Sequence, residues 1–261
     1  MRLQAKTPIV LRNKVLGGDK PLVCIPLVAS EEQGFKHEVE KIVELSPDII
    51  EWRVDYYDGA CDIERVKKAL EFLRANAGEI PIIFTFRSHL EGGFKQVEDS
   101  IRYDIVKQVI ATGKIDVVDI ELISGEANIR DIKDSAQKNG VALILSYHNF
   151  KETPSVDFLL DKIRQQILSG ADIVKVAVMP KNEEDVLNLL IATLRARMEM
   201  PAPPIITMSM GGLGVITRMA GWLFGSDLTF AVGDKASAPG QIPISELRLG
   251  MQILERNAMT K

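Results

Sequence analysis

A chain of 261 residues, 46% hydrophobic and 26% charged, has ordinary globular composition and enough length to bury a sizeable core. Its net charge of -4 gives no electrostatic case for nucleic acid, and no apolar run approaches a membrane span. Two cysteines, Cys24 and Cys61, make no disulfide framework and point to a reducing, cytoplasmic setting.

Residues 1–20 carry basic residues but only a short apolar stretch, too short for a signal peptide, and are expected to form a small extra element. Strand-like runs then recur: "PLVCIPLV" (21–28), "DIIEWRV" (48–54), "IPIIFTF" (80–86) and "IDVVDIEL" (115–122). They continue with "VALILSYH" (141–148), "ADIVKVAV" (171–178), "PPIITMSM" (203–210) and "DLTFAV" (227–232). Between them the apolar residues fall at helical spacing, as in Val66, Leu70 and Leu73, or Val186, Leu189, Leu190 and Leu194. Ser155 and Asn182 sit where helices should start, and Gly113, Gly140 and Gly170 where they should stop. Eight β/α units in regular alternation, with no linker between them, predict one (β/α)₈ TIM barrel domain over 1–261. A doubly wound open sheet is the alternative.

Side chains two apart on a strand share a face. Glu51 and Arg53 therefore oppose Ile50, Trp52 and Val54, and Thr85 and Arg87 oppose Phe84 and Phe86. Asp119 and Glu121, then Ser146 and His148, then Lys175 repeat the pattern against apolar neighbours. In a barrel the apolar face packs on the helices, so the polar face lines the lumen. A purely structural lumen would be filled with Val, Ile and Leu, so this polar one reads as a site.

Each candidate has a plain reading beside the functional one. Lys175 is either a buried lysine paired with Glu121 or Asp119, or an amine able to attack a carbonyl carbon. His148, on the neighbouring strand, is a packed histidine or the base that such a lysine needs. His37 and His89 show no metal-ligand spacing with it. Arg87 and Glu91 are a loop ion pair, or an anion clamp plus a carboxylate that orients His148. Glu51 and Arg53 satisfy one another or bind a polyol. "MGGLG" (210–214) after the seventh strand hints weakly at phosphate, and "KASAPGQI" (235–242) is an inert loop or a polar lid.

Taken together, "EWRVD" (51–55), "FTFRS" (84–88), "EGG" (91–93), "SYHNF" (146–150) and "VKVAVMP" (174–180) resemble type I 3-dehydroquinate dehydratase. "ITMSM" (206–210), "GVITRMAG" (214–221) and "ASAPGQI" (236–242) extend the match in the same order, from about residue 20 to the C-terminus. The resemblance implies a (β/α)₈ barrel, commonly a homodimer, with no metal or organic cofactor and a small-molecule substrate. It implies that Lys175 forms an imine with the C3 ketone of 3-dehydroquinate, that His148 is base and acid, and that Glu91 orients it. Arg218 would bind the substrate carboxylate, with Ser237 and Gln241 from a closing loop. Glu51, Arg53 and Arg87 would surround the ring hydroxyls, and Met208 and Met210 would pack near the ring. Pro26 departs from a serine of some relatives and puts one peripheral polar contact in question.

Two rivals remain open on the sequence. A lysine-imine aldolase would need "GGLG" to grip a sugar phosphate. A non-catalytic binder of a cyclic polyhydroxy acid would keep the arginines without needing both Lys175 and His148.

Overall fold

The computed structural model describes residues 2–200, 203–233 and 235–258; Met1 and 259–261, part of the 1–261 span, lie outside them. A hairpin of β1 (Ile9–Leu11) and β2 (Lys14–Leu16) comes first. Then follow β3 (Leu22–Leu27), α1 (Glu32–Glu44), β4 (Ile49–Arg53), α2 (Ile63–Ala77), β5 (Ile82–Thr85) and α3 (Asp99–Ile110). Next are β6 (Val117–Glu121), α4 (Glu126–Lys138), β7 (Ala142–Asn149), α5 (Val156–Leu168), β8 (Ile173–Val178) and α6 (Glu183–Glu199). β9 (Ile205–Ser209), α7 (Val215–Ala220), β10 (Leu228–Phe230) and α8 (Ile244–Ala258) complete the series. The start and stop signals act as expected: Ser155 accepts from the Phe158 amide and Asn182 from the Asp185 amide. Gly113, Gly140 and Gly170 all take positive φ where helices end.

The eight long-range strands pair in parallel in the order β10-β3-β4-β5-β6-β7-β8-β9. Neighbours in space are neighbours in sequence, and the last strand lies beside the first. This is a barrel rather than a doubly wound sheet, whose order would reverse at a switch point. Between β9 and β10 the ring is closed by the Asp227 amide donating to the Ile205 carbonyl at 2.7 Å. The Asp227 carboxylate accepts from the Ile205 amide and from the buried guanidinium groups of Arg2 and Arg197. Most strands stop a residue or two inside the apolar runs, as with Ile205–Ser209 against 203–210, where Pro203, Pro204 and Gly211 flank the ladder, whereas β7 runs one residue further, to Asn149.

Pro26 is tolerated inside β3 for a reason visible in the register. Leu22 and Cys24 bond toward β10, so Pro26 faces that way as well, but the β10 pairing ends at Phe230 with Cys24. The Ala231 amide still donates to the Cys24 carbonyl; the next rung would come from the amide of residue 26, so the proline ends the ladder there without interrupting it in mid-strand.

Apolar packing occupies two shells. The outer one lies between the strands and helices, where Trp52 meets Phe35 and Phe84 at ring distances of 5.2 and 5.5 Å. The inner one fills the lower barrel with Cys24, Ile49, Ile83, Val117, Ile144, Ile173 and Ile206, and Leu11 and Leu16 of the hairpin cover it from below. The expected extra element in 1–20 is thus a plug. Above that layer the lumen turns polar. Among the described residues no helix is long and apolar enough to cross a membrane.

Candidate active site

The strands deliver five polar side chains to one level of the lumen. Parallel register sets Glu51 beside Pro26, Thr85 beside Asp119, and Ser146 beside Lys175. All five of Glu51, Thr85, Asp119, Ser146 and Lys175 are buried. The Lys175 Nζ donates to Asp119 Oδ2 at 2.8 Å and Glu51 Oε1 at 3.2 Å, and lies 4.8 Å from the centre of the Phe230 ring. Of the two ion-pair partners considered from sequence, Asp119 holds the lysine and Glu121 does not. Glu51 does, and it also accepts from the Thr85 hydroxyl at 2.9 Å.

Arg87 differs most from expectation. It makes no pair with Glu91. Its Nη1 and Nη2 reach Asp119 at 3.0 and 2.8 Å, and Nη1 also reaches Glu121 at 2.8 Å and Ser146 at 2.7 Å. A guanidinium so committed is a fixed internal charge as well as part of the cavity wall, and these carboxylates hold its pKa above the ordinary arginine value. Burial opposes the Asp119 carboxylate charge, but Arg87 and Lys175 outweigh it and hold the group far below the usual carboxylate range. Nor do Glu51 and Arg53 satisfy one another. Arg53 is gripped by Asp55 through Nε at 2.9 Å and Nη2 at 2.8 Å, and lies 5.0 Å over the Tyr56 ring.

Glu91 closes a single 3-10 turn, His89–Glu91, that ends on Gly92 at φ 85. A side chain at Gly92 would be strained and would run into the ring of Phe150, which stacks near His148 with centroids 6.4 Å apart. The turn aims Glu91 Oε2 at His148, 3.0 Å from Nδ1 and 2.8 Å from the backbone amide. Burial first, then the cations Arg87 and Lys175, push the imidazole well below its ordinary pKa. Burial likewise raises Glu91, against the pull of Arg87, to about 8. Both shifts disfavour charge on the pair.

Arg218, on α7, is 1% exposed. It donates to the Pro239 carbonyl at 2.9 Å and the Phe230 carbonyl at 3.4 Å, and its Nε has no partner. Among the described residues it makes no ion pair. Desolvation alone brings it from 12.5 to about 10, so it remains a cation at neutral pH. A buried cation lacking a counter-charge is the place where an anionic ligand gains most.

The 235–242 loop sits down over this cation. Ser237 and Gln241 bond to each other, amide to Oε1 at 2.8 Å and Nε2 to Oγ at 3.2 Å. The Gly211 amide donates to Pro239, so the "GGLG" turn gives its first N–H to the loop rather than to a phosphate. One cavity is lined by Glu51, Arg53, Arg87, Glu91, His148, Lys175, Met208, Met210, Arg218, Ser237 and Gln241. These are the eleven positions singled out from sequence. Phe150, Ala177, Phe230 and Ala238 also line it, and Asp119 and Asp55 stand behind it. Asp119 is visible in the strand parity. Phe150 and Asp55 lie inside quoted motifs but carry no signal of their own.

A family model described as type I 3-dehydroquinase matches residues 23–258. The 3-dehydroquinate dehydratase of Bacillus velezensis is 44% identical over 249 residues, covering 95% of this chain and 98% of its own. The crystal structure of 3-dehydroquinate dehydratase from Geobacillus kaustophilus aligns with a TM-score of 0.95 at 45% identity, covering 98% of this chain and 99% of that one. A type I 3-dehydroquinate dehydratase from Clostridium difficile, solved with covalently modified comenic acid, aligns with a TM-score of 0.92 at 37% identity, over 96% of this chain and 98% of that one.

Proposed function

Since the chain belongs to the type I 3-dehydroquinase family, shikimate-pathway enzymes that dehydrate 3-dehydroquinate, we propose that its reaction runs through an imine on Lys175. The observation that carries this reading is the convergence of a buried amine, a neutral imidazole and an unpaired guanidinium on one cavity. The covalently modified ligand of the C. difficile relative is in keeping with a site that forms covalent bonds.

In this reading the Arg218 guanidinium takes the substrate carboxylate, with Ser237 and Gln241 closing over it. Glu51, Arg53 and Arg87 face the ring hydroxyls, and Met208 and Met210 supply an apolar wall. Lys175 gives its ammonium proton to His148 and adds to the C3 carbonyl; the carbinolamine hydroxyl then leaves as water with that same proton, and the product is a protonated imine. Asp119 and Glu51, already placed around Nζ, neutralise that cation as well as they do the ammonium. His148 removes the C2 proton, and the electron pair flows into the imine to give a neutral enamine. The enamine expels the C1 hydroxyl, which leaves as water with the proton that His148 has just gained. Water then hydrolyses the protonated conjugated imine, releasing 3-dehydroshikimate and returning Lys175 as the ammonium between Asp119 and Glu51. No electron is transferred and no external acid is consumed. A single barrel domain, a homodimer and a cytoplasmic setting belong to the same proposal.

Borohydride added during turnover tests it. The expected result is one reduced adduct, mapped to Lys175 by peptide mass spectrometry, with the ultraviolet absorbance of the enone appearing when borohydride is omitted. Labelling at another lysine would sink the assignment.

A further inference from the structure

Arg102 lines no part of the cavity. It projects from α3, yet its side chain is 2% exposed. Its Nη1 donates to Glu121 Oε2 at 2.8 Å and to the Phe86 carbonyl at 3.1 Å. Nε and Nη2 reach Asp99 at 3.2 and 2.9 Å, and Nη2 also reaches the Tyr103 hydroxyl at 2.9 Å. Glu121 turns its other oxygen inward, to Arg87 Nη1 at 2.8 Å and the Ser88 amide at 2.9 Å. Through Arg87 the line continues to Asp119 and ends on the Lys175 amine. Charges alternate at every step from the exposed Asp99 to the buried lysine: Asp99, Arg102, Glu121, Arg87, Asp119, Lys175.

The weak point of that line is Arg87 Nη1, which three acceptors share: Asp119, Glu121 and Ser146. Which of them it favours depends on how much of the Glu121 charge is answered from the other side. A buried carboxylate demands a full counter-charge. With Arg102 in place, Glu121 has its own cation and leaves Arg87 free to clamp Asp119 through both oxygens. Without Arg102, Glu121 draws Arg87 outward, and Asp119 is left with Lys175 as its one cation and the Ser146 hydroxyl as its other donor. The ammonium is then held more tightly by a carboxylate no longer fixed from behind.

We infer that Arg102 is a positioning residue: by answering the charge of Glu121 it reserves Arg87 for Asp119, and so fixes the carboxylate that holds the Lys175 amine. This rests on the reading of Lys175 as the imine-forming residue. A purely structural role, stitching α3 to the end of β5, is the competing account, and it predicts lost stability without a change in the chemistry of the folded fraction.

The test uses the full chain with 3-dehydroquinate. Arg102→Met, Arg102→Lys and the double variant Arg102→Met with Glu121→Gln are compared for kcat, KM, melting temperature and the rate of borohydride labelling at Lys175. Arg102→Met should lower kcat and the labelling rate by about tenfold with KM little changed, the scale of coupling within one hydrogen-bonded network. Arg102→Lys, which keeps the charge, should stay near wild type. The double variant should recover most of the loss, because the amide that replaces the Glu121 carboxylate is neutral yet still accepts from Arg87 and Ser88. A double variant no better than Arg102→Met, or an Arg102→Met protein with wild-type kcat, overturns the inference. Should Arg102→Met not fold, the double variant alone decides, with near-wild-type kcat supporting the role and a tenfold loss refuting it. If wild-type enzyme is labelled at a different lysine, the imine assignment itself fails, and this inference falls with it; loss confined to the variants leaves that assignment standing.

Discussion

The backbone amide and the ring Nδ1 of His148 converge on the same oxygen of Glu91, at 2.8 and 3.0 Å. An oxygen that accepts along both lines leaves the Nδ1 of the neutral ring protonated and Nε2 as the basic nitrogen. With Glu91 raised to about 8, its own proton at neutral pH resides on the other oxygen. The pair is a neutral dyad whose tautomer is set by the main chain as well as the side chain.

A base depressed by burial and by neighbouring cations stays unprotonated below the pH at which an ordinary imidazole takes up a proton. Proton binding is what the fold disfavours, so the titration midpoint moves down. The His148 imidazole resonance, assigned by comparison with His148→Ala, should titrate below about pH 6.5 in free enzyme. A midpoint at or above that value would remove the electrostatic case for His148 as a base.

Because a protonated Glu91 is close in shape and charge to glutamine, Glu91→Gln should be the mildest change at this dyad. Glu91→Ala should be worse, since Nδ1 and the His148 amide lose their acceptor. His148→Ala should slow dehydration by roughly 10²-fold or more while still giving a borohydride-trapped Lys175 adduct. Product formation at a near-normal rate in His148→Ala would exclude it from the proton transfer.

Arg218 carries a different signature. A guanidinium presents two parallel donors to a carboxylate where an ammonium presents one point. Arg218→Lys should raise KM by about tenfold to a hundredfold, on the order of 1.5–3 kcal/mol for a charge-assisted bond, while Lys175 remains labelled at saturating substrate. Unchanged KM would take the substrate carboxylate elsewhere.

Gly240 has φ +77 and lies against the backbone of Gly211, itself at φ +70. Any Cβ there meets the Gly211 carbonyl. Gly240→Ala should therefore unseat the loop at a cost of about 1–3 kcal/mol. Limited proteolysis within 235–242 should quicken and KM should rise, with the barrel melting as before. The seated loop of the wild type should be cut more slowly still when a quinate-like carboxylate is present, because that ligand gives Arg218 a counter-charge under the same cover. Identical cleavage of the two proteins would show that Gly240 does not hold the loop.

The barrel is readable because strands covered on one side by helices and on the other by a shared lumen leave two clear faces in sequence. Glu51 with Arg53, and Ser146 with His148, announce the polar face by parity alone. What parity cannot show is which lumen group answers which. Arg87 pairs across strands with Asp119 and Glu121 rather than along its own loop with Glu91, and only register decides that. Arg102 reads as an ordinary helix residue, since nothing in "DSIRYD" reveals that its guanidinium turns inward. The β1–β2 hairpin escapes notice for a local reason: its tight turn places Arg12, not glycine or asparagine, at φ 51.

The contact between Arg2 and Asp227 joins positions 225 apart across the seam of the ring. During synthesis the first of these emerges long before the second exists. Until then β3 has no neighbour on its outer edge, and the residues that will cover the lower lumen have no finished floor to rest on. The nascent chain must therefore carry an open, curling sheet through most of translation, its final edge exposed to other chains, and complete the circle only after β10 leaves the ribosome.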